Sequence, residues 1–374
     1  MPRTIALPSA RYGIVAALAL VLALFAAGFG TASAHGRAGV VYTLTNAAGG
    51  NEVAIFDRAN DGTLTADGTV ATGGLGTGAG LGSQGAIALD GNRLLAVNAG
   101  SDSISLFSVH NGNLTLEDVE ASGGDMPISV TVHDNIAYVL NAGAPENITG
   151  FRIHNHGLTQ IAGSARPLSG SGVGPAEVRF SPNGRLLVVT EKGTNKIDTY
   201  FVGFQGLGFG PVVHDSVGQT PFGFDFGKRG TLIVSEAFGG APDASALSSY
   251  DVSWFGSLTP VTSSAPTTET AACWVAVSND GRFAYATNTG SGTVTGYRVA
   301  HDGTLTILNA DGVTGQTPAG SKPIDAAFSN GRYLYVLSAG TNTITAFEQH
   351  ADGSLANLGS VTGLPGGTVG LAAR

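Results

Sequence analysis

Apolar and polar residues alternate at period two along most of this chain, in short runs that come in pairs and recur. The first run of each pair reads VVYTLTN, LLAVN, AYVLN, LVVTE, LIVSE, AYATN or LYVLS, ending at Asn46, Asn98, Asn141, Glu191, Glu236, Asn288 and Ser338. The second reads EVAIFDR, SISLFSV, NITGFRI, KIDTYFV, ALSSYDV, TVTGYRV or TITAFEQ, with aromatics at Phe56, Phe107, Phe151, Tyr200, Tyr250, Tyr297 and Phe347. A Gly-x-Leu turn follows in most units, as at Gly62–Leu64, Gly303–Leu305 and Gly353–Leu355. Further strands precede the pairs: PISVTV, PAEVRF, PFGFDF, ACWVAV and PIDAAF. β-branched and aromatic residues at this period predict strands, and no helical periodicity competes outside the N-terminal segment.

Seven units of about 49 residues suit four-stranded propeller blades rather than shorter solenoid coils. The first unit, starting at Gly39, lacks the preceding strand, and the chain continues past the last unit as Gly367-Thr368-Val369-Gly370-Leu371-Ala372. The expected fold is therefore an all-β seven-bladed β-propeller, its ring closed by the C-terminal strand pairing into the first blade, which hides two sheet edges. The domain is expected to span 35–374. Before it, Arg3 and Arg11 flank an apolar run from Ile14 to Gly30, and Ala32-Ser33-Ala34 supplies small residues for cleavage. That arrangement predicts a signal peptide over 1–34 and a secreted or cell-envelope protein, with a retained anchor as the competing interpretation.

Composition agrees with an all-β chain rich in turns: 57 glycines, 43% apolar and only 12% charged residues. A net charge of -9 argues against nucleic acid as a partner. The single Cys273 excludes an intramolecular disulfide and a cysteine-based zinc site. No nucleophile-elbow or P-loop motif occurs, no cofactor or metal is implied, and a monomer is expected. The Asn residues ending the first runs are expected to serve as turn devices with left-handed backbone.

Candidate chemistry concentrates where the innermost strands begin. The positions after the recurring Pro read Gly85, Ile128, Ala176, Phe222, Cys273, Ile324 and Thr368, an almost wholly apolar ring. One residue further lie Ser129, Glu177, Gly223, Trp274 and Asp325. Glu177, Glu191, Glu236 and Asp325 are thus candidates for a sparse acidic set around a hydrophobic mouth, suited to a cation or a basic or hydroxylated ligand. The alternative is that each caps a strand end or accepts backbone N–H bonds where blades meet.

The SPNGRLLVVTEKGTNKIDTYFV and SNDGRFAYATNTGSGTVTGYRV segments, with the closing strand, resemble the lactonase family of seven-bladed propellers, which includes 6-phosphogluconolactonases and muconate cyclases. The resemblance implies a site that opens or forms a small lactone. It would use a His opening the fourth blade, an Arg opening the fifth, a Glu after the fifth blade's second strand and an Arg at the sixth blade's equivalent place. Those positions fall on Ala176, Phe222, Glu236 and Thr289, so only the acid is kept. Two functions remain open. One is an altered lactonase with Glu236 or Glu191 as general acid/base; the other is a non-catalytic propeller binding a small molecule or envelope component, with Glu177, Asp325, Trp274 and Phe222 as ligand contacts.

Overall fold

The computed structural model describes Met1, residues 37–329 and residues 331–374; the expected signal peptide lies outside them. The strands form seven antiparallel sheets of four principal strands each. Six sheets run in chain order from an innermost strand outward, beginning at Ile87, Pro127, Pro175, Pro221, Ala272 and Pro323. The other is composite: Val369–Ala373 supplies its innermost strand, followed outward by Gly39–Leu44, Glu52–Arg58 and Leu64–Ala71. Val41 pairs with Ala373 and Thr43 with Leu371, so the ring closes as its ends predict. Among the described residues the only helical element is a 3-10 turn at Phe238–Gly240, and no helix is long and apolar enough to cross a membrane.

Second and third strands carry the core, because both their faces meet neighbouring blades. The seven repeated aromatics, from Phe56 to Phe347, are all buried there. The second strands add a link between blades. Tyr42, Tyr138, Tyr285 and Tyr335 each donate a hydroxyl to the carbonyl of a turn glycine in the next blade, Gly112, Gly206, Gly353 and Gly62, at 2.6–2.9 Å. In blades four and five Thr199 and Ser249 make the equivalent bond to Gly256 and Gly303. A buried hydroxyl without such a partner would be costly, which accounts for its pairing with the repeated turn.

The Asn positions depart from expectation. Only Asn46 has a left-handed backbone, with φ 50°. The others are buried brackets between second and third strands: Asn98 donates to Ser103 and Ser105, and Asn288 to Thr293 and Thr295. Their amide reach, not their tolerance of positive φ, explains the recurrence.

Removing residues 367–374 strips buried Val369 and Leu371 from the core and reopens two edges. We expect a loss of about 5 kcal/mol or more of folding free energy, a large part of the total for a typical domain, read by urea unfolding. An unchanged midpoint would mean that the ring is held by other means.

Candidate functional site

Each innermost strand is bonded within its blade on one side only, so its other edge turns its backbone toward the axis. Near the start of five of these strands the pairing register slips, between Pro127 and Ser129, Pro175 and Glu177, Pro221 and Phe224, Ala272 and Trp274, and Pro323 and Asp325. Such bulges re-aim the residues beside them. Side chains at the strand's third and fifth positions then accept from free N–H groups of the following blade. Val178 N–H donates to Ser129 Oγ (3.2 Å), Phe224 N–H to Glu177 Oε2 (2.7 Å), Phe180 N–H to Thr131 Oγ1 (3.1 Å) and Val277 N–H to Asp225 Oδ2 (2.8 Å).

Blade five has Gly223 at its third position and cannot serve Val275. Gln84, from the loop entering blade two, does so from across the channel, accepting from Val275 N–H (3.2 Å) and donating to Val275 O (2.9 Å). A Cβ on Gly223 would fall 2.1 Å from Gln84 Oε1 and 2.8 Å from Cys273 O, so only glycine leaves room for the bridge.

Glu177 and Asp325 line a cavity of about 340 Å³ in the channel, together with Arg179 and Asp225. Arg179 Nε donates to Glu177 Oε1 at 2.8 Å and its Nη1 lies 3.2 Å from Asp225 Oδ1. Burial pushes Glu177 up to about 7 against the pull of Arg179. Asp325 is only 2% exposed, and burial raises its carboxyl well above the usual range. Its Oδ1 accepts from Ala326 N–H at 2.7 Å, and the backbone N–H of Leu371 on the neighbouring innermost strand also favours the charged carboxyl against burial.

Glu191 and Glu236 lie elsewhere. They occupy the second-strand slot that holds Asn98 and Asn288 in other blades, facing third-strand residues equivalent to Ser105 and Thr295. Glu236 accepts from Gly218 N–H (2.8 Å), Ser248 Oγ (2.5 Å) and Ser264 Oγ (2.6 Å). Glu191 accepts from Ser169 N–H (2.9 Å), Ser169 Oγ (2.5 Å) and Thr194 Oγ1 (2.6 Å). Its third-strand partner is Asp198, raised to about 8 by burial and by the neighbouring Glu191 charge. Tyr200 donates its hydroxyl to Asp198 Oδ2 at 3.3 Å, while the adjacent Glu191 favours the protonated form of Asp198. The four acids therefore divide into an axial pair and two separate positions within blades.

The channel mouth at the strand starts is apolar. Phe222 and Trp274 meet edge to face with ring centres 4.6 Å apart, and Cys273 is buried beside them. Lys192, which the sequence did not single out, lies 4.8 Å over the Phe222 ring and donates to Gly82 O (2.6 Å) and Pro175 O (3.1 Å), with burial lowering it to about 8. Thr289 Oγ1 is committed to Pro323 O at 2.7 Å. Arg179 and Asp225 were also missed; their signal was a charge at the fifth position of both PAEVRF and PFGFDF. Gln84 carries no such signal, since its role depends on a glycine far along the chain.

A family model described as lactonase, 7-bladed beta-propeller, matches residues 35–158 and 255–370. The intervening 159–254 covers most of blades four and five, where Ala176 and Phe222 stand. No curated protein matches the chain. A solved protein from Lactobacillus plantarum is 19% identical with TM-score 0.72, covering 90% of this chain and 99% of its own. A candidate 6-phosphogluconolactonase from Bacteroides fragilis is 20% identical with TM-score 0.70, covering 90% and 98%. The periplasmic gluconolactonase of Pseudomonas aeruginosa is 18% identical with TM-score 0.66, covering 88% and 98%. These likenesses show the fold.

Substitutions at Gly223, Gln84 and Asp198 probe this arrangement. Gly223→Ala should cost about 1–3 kcal/mol in urea unfolding, and Gly223→Ala with Gln84→Ala should cost less than the two single changes together. Asp198 has its folded pKa raised, so its contribution is intact below the ordinary value near 3.8 and is lost as pH rises through about 8. Asp198→Asn should therefore gain thermal stability relative to the wild type from pH 4 to pH 9; a constant difference would refute the shared proton.

Proposed function

We propose that this chain, which belongs to the lactonase family of seven-bladed β-propellers, acts as a binding protein for a small organic cation held in its channel, and not as a lactone hydrolase. The observation that carries this is Asp325. Arg179 already has Glu177 and Asp225 as ion-pair partners, so Asp325 lines a cavity of about 340 Å³ with no ion pair to a described residue. A primary ammonium brings the positive charge that this carboxyl lacks, with three N–H donors for the acceptors around the cavity. Its charge would also draw the raised Asp325 carboxyl back toward ionisation, so binding should release protons and strengthen as pH rises.

The mouth that would house lactone chemistry supports the same conclusion. Phe222 and Thr289 stand where the family places guanidinium groups, and without those an anionic lactone loses its bidentate partners and its developing charge goes unstabilised. Glu236, the one acid retained, makes its bonds with blade five and the loop that enters it. With the leader read over 1–34, the proposed binding takes place outside the cytoplasm.

Titration calorimetry with 1,4-diaminobutane should give a saturable single-site heat that falls about tenfold in affinity in Asp325→Asn. A pH-stat panel of sugar lactones and muconolactones should show no acid release. Lactone turnover that disappears in Glu236→Gln, or diamine binding unchanged by Asp325→Asn, would overturn the proposal.

A further inference from the structure

The turns joining third to fourth strands lie on one face of the ring, with those joining first to second strands. In five blades their tips are polar, as at Asn60-Asp61, Asn155-His156 and His301-Asp302. Blades four and five instead carry Phe204-Gln205 and Trp254-Phe255. These aromatics are not tucked in: relative exposure is 105% for Phe204, 78% for Phe255 and 56% for Trp254. Exposed aromatic side chains on adjacent hairpin ends are not needed by the core, which already buries the aromatic of each third strand.

Charge singles out the same place. Arg185, Lys228 and Arg229, from first-to-second turns of the same two blades, border one depression of about 260 Å³ with Trp254. The Arg185 guanidinium stacks 3.6 Å from the Trp254 ring. None of the three forms an ion pair with a described residue, although the whole chain carries a net charge of -9.

We propose that this corner of the ring is a peripheral docking surface for an anionic lipid bilayer. The tips are convex, so they suit a yielding headgroup boundary, where aromatic rings partition favourably, better than a rigid groove. These cations have no carboxylate partner, although Arg229 donates to the carbonyls of Ala300 and His301, so they fit acidic headgroups and overcome locally the repulsion that the chain's overall negative charge would otherwise produce. A protein partner is the alternative that the test must exclude.

The ring of residues 37–374 closes on its own tail strand, so the chain from Gly36 is the species to test, free of the apolar run at 14–30. Of the two tryptophans, Trp274 is buried, so a change in emission reports Trp254. Vesicles of phosphatidylcholine with about one-quarter phosphatidylglycerol, at about 0.1 M salt, should sediment the protein and shift its emission to the blue. Phosphatidylcholine alone, or about 0.5 M salt, should release most of it. Phe204→Ser with Phe255→Ser, and separately Arg185→Glu with Lys228→Glu, should each lower partitioning about tenfold without moving Tm. Absence of binding to anionic vesicles, or binding indifferent to both double variants, would overturn the proposal and leave a protein partner as the use of this surface.

Discussion

A closed wheel of antiparallel sheets has one unavoidable weakness: the inner edge of every blade points unbonded N–H groups at the axis. Leaving such a group buried and unsatisfied costs about 1–3 kcal/mol, and the ring multiplies the problem around its circumference. This chain answers it with side chains lent by the preceding blade, Ser129 and Thr131 to blade four, Glu177 to blade five and Asp225 to blade six. Where Gly223 breaks the series, Gln84 reaches across the channel to Val275. The acids on the axis are thus first acceptors for backbone, and the cavity between them is what remains once those debts of hydrogen bonding are met. Asp325 stands out among them because, unlike Glu177 and Asp225, it has no ion pair with Arg179.

The same economy explains Glu191 and Glu236. A slot that in other blades holds an Asn amide has a carboxylate in blades four and five, supplied there with donors from Ser169, Thr194, Ser248 and Ser264. Blade four fills the facing position with Asp198, and two acids side by side are tolerable only with a proton between them. Blades four and five also hold Ala176, Phe222 and the aromatic hairpin tips.

Much of the architecture was legible before any coordinates. Strands alternate at period two, blades repeat at a fixed interval, and the missing first strand matched the surplus tail, so Val369–Ala373 could be placed beside Gly39–Leu44. The site was legible only in part. Glu177 and Asp325 were found by their place after Pro, but a register slip beside each strand start decides where they point, and no periodicity reports a bulge. Glu191 and Glu236 end second strands and lie within their blades for that reason. The Asn residues were recognised as structural for the wrong cause, since a buried amide bracing two strands and an amide tolerating positive φ look alike in one dimension.

Residues 369–373 complete the sheet that residues 39–71 begin. A ribosome delivers a chain from its amino end, so the opening sheet emerges first yet must wait, with its Gly39–Leu44 border unpartnered, until residues 369–373 have followed it. Closure of the wheel is therefore the last act of its assembly.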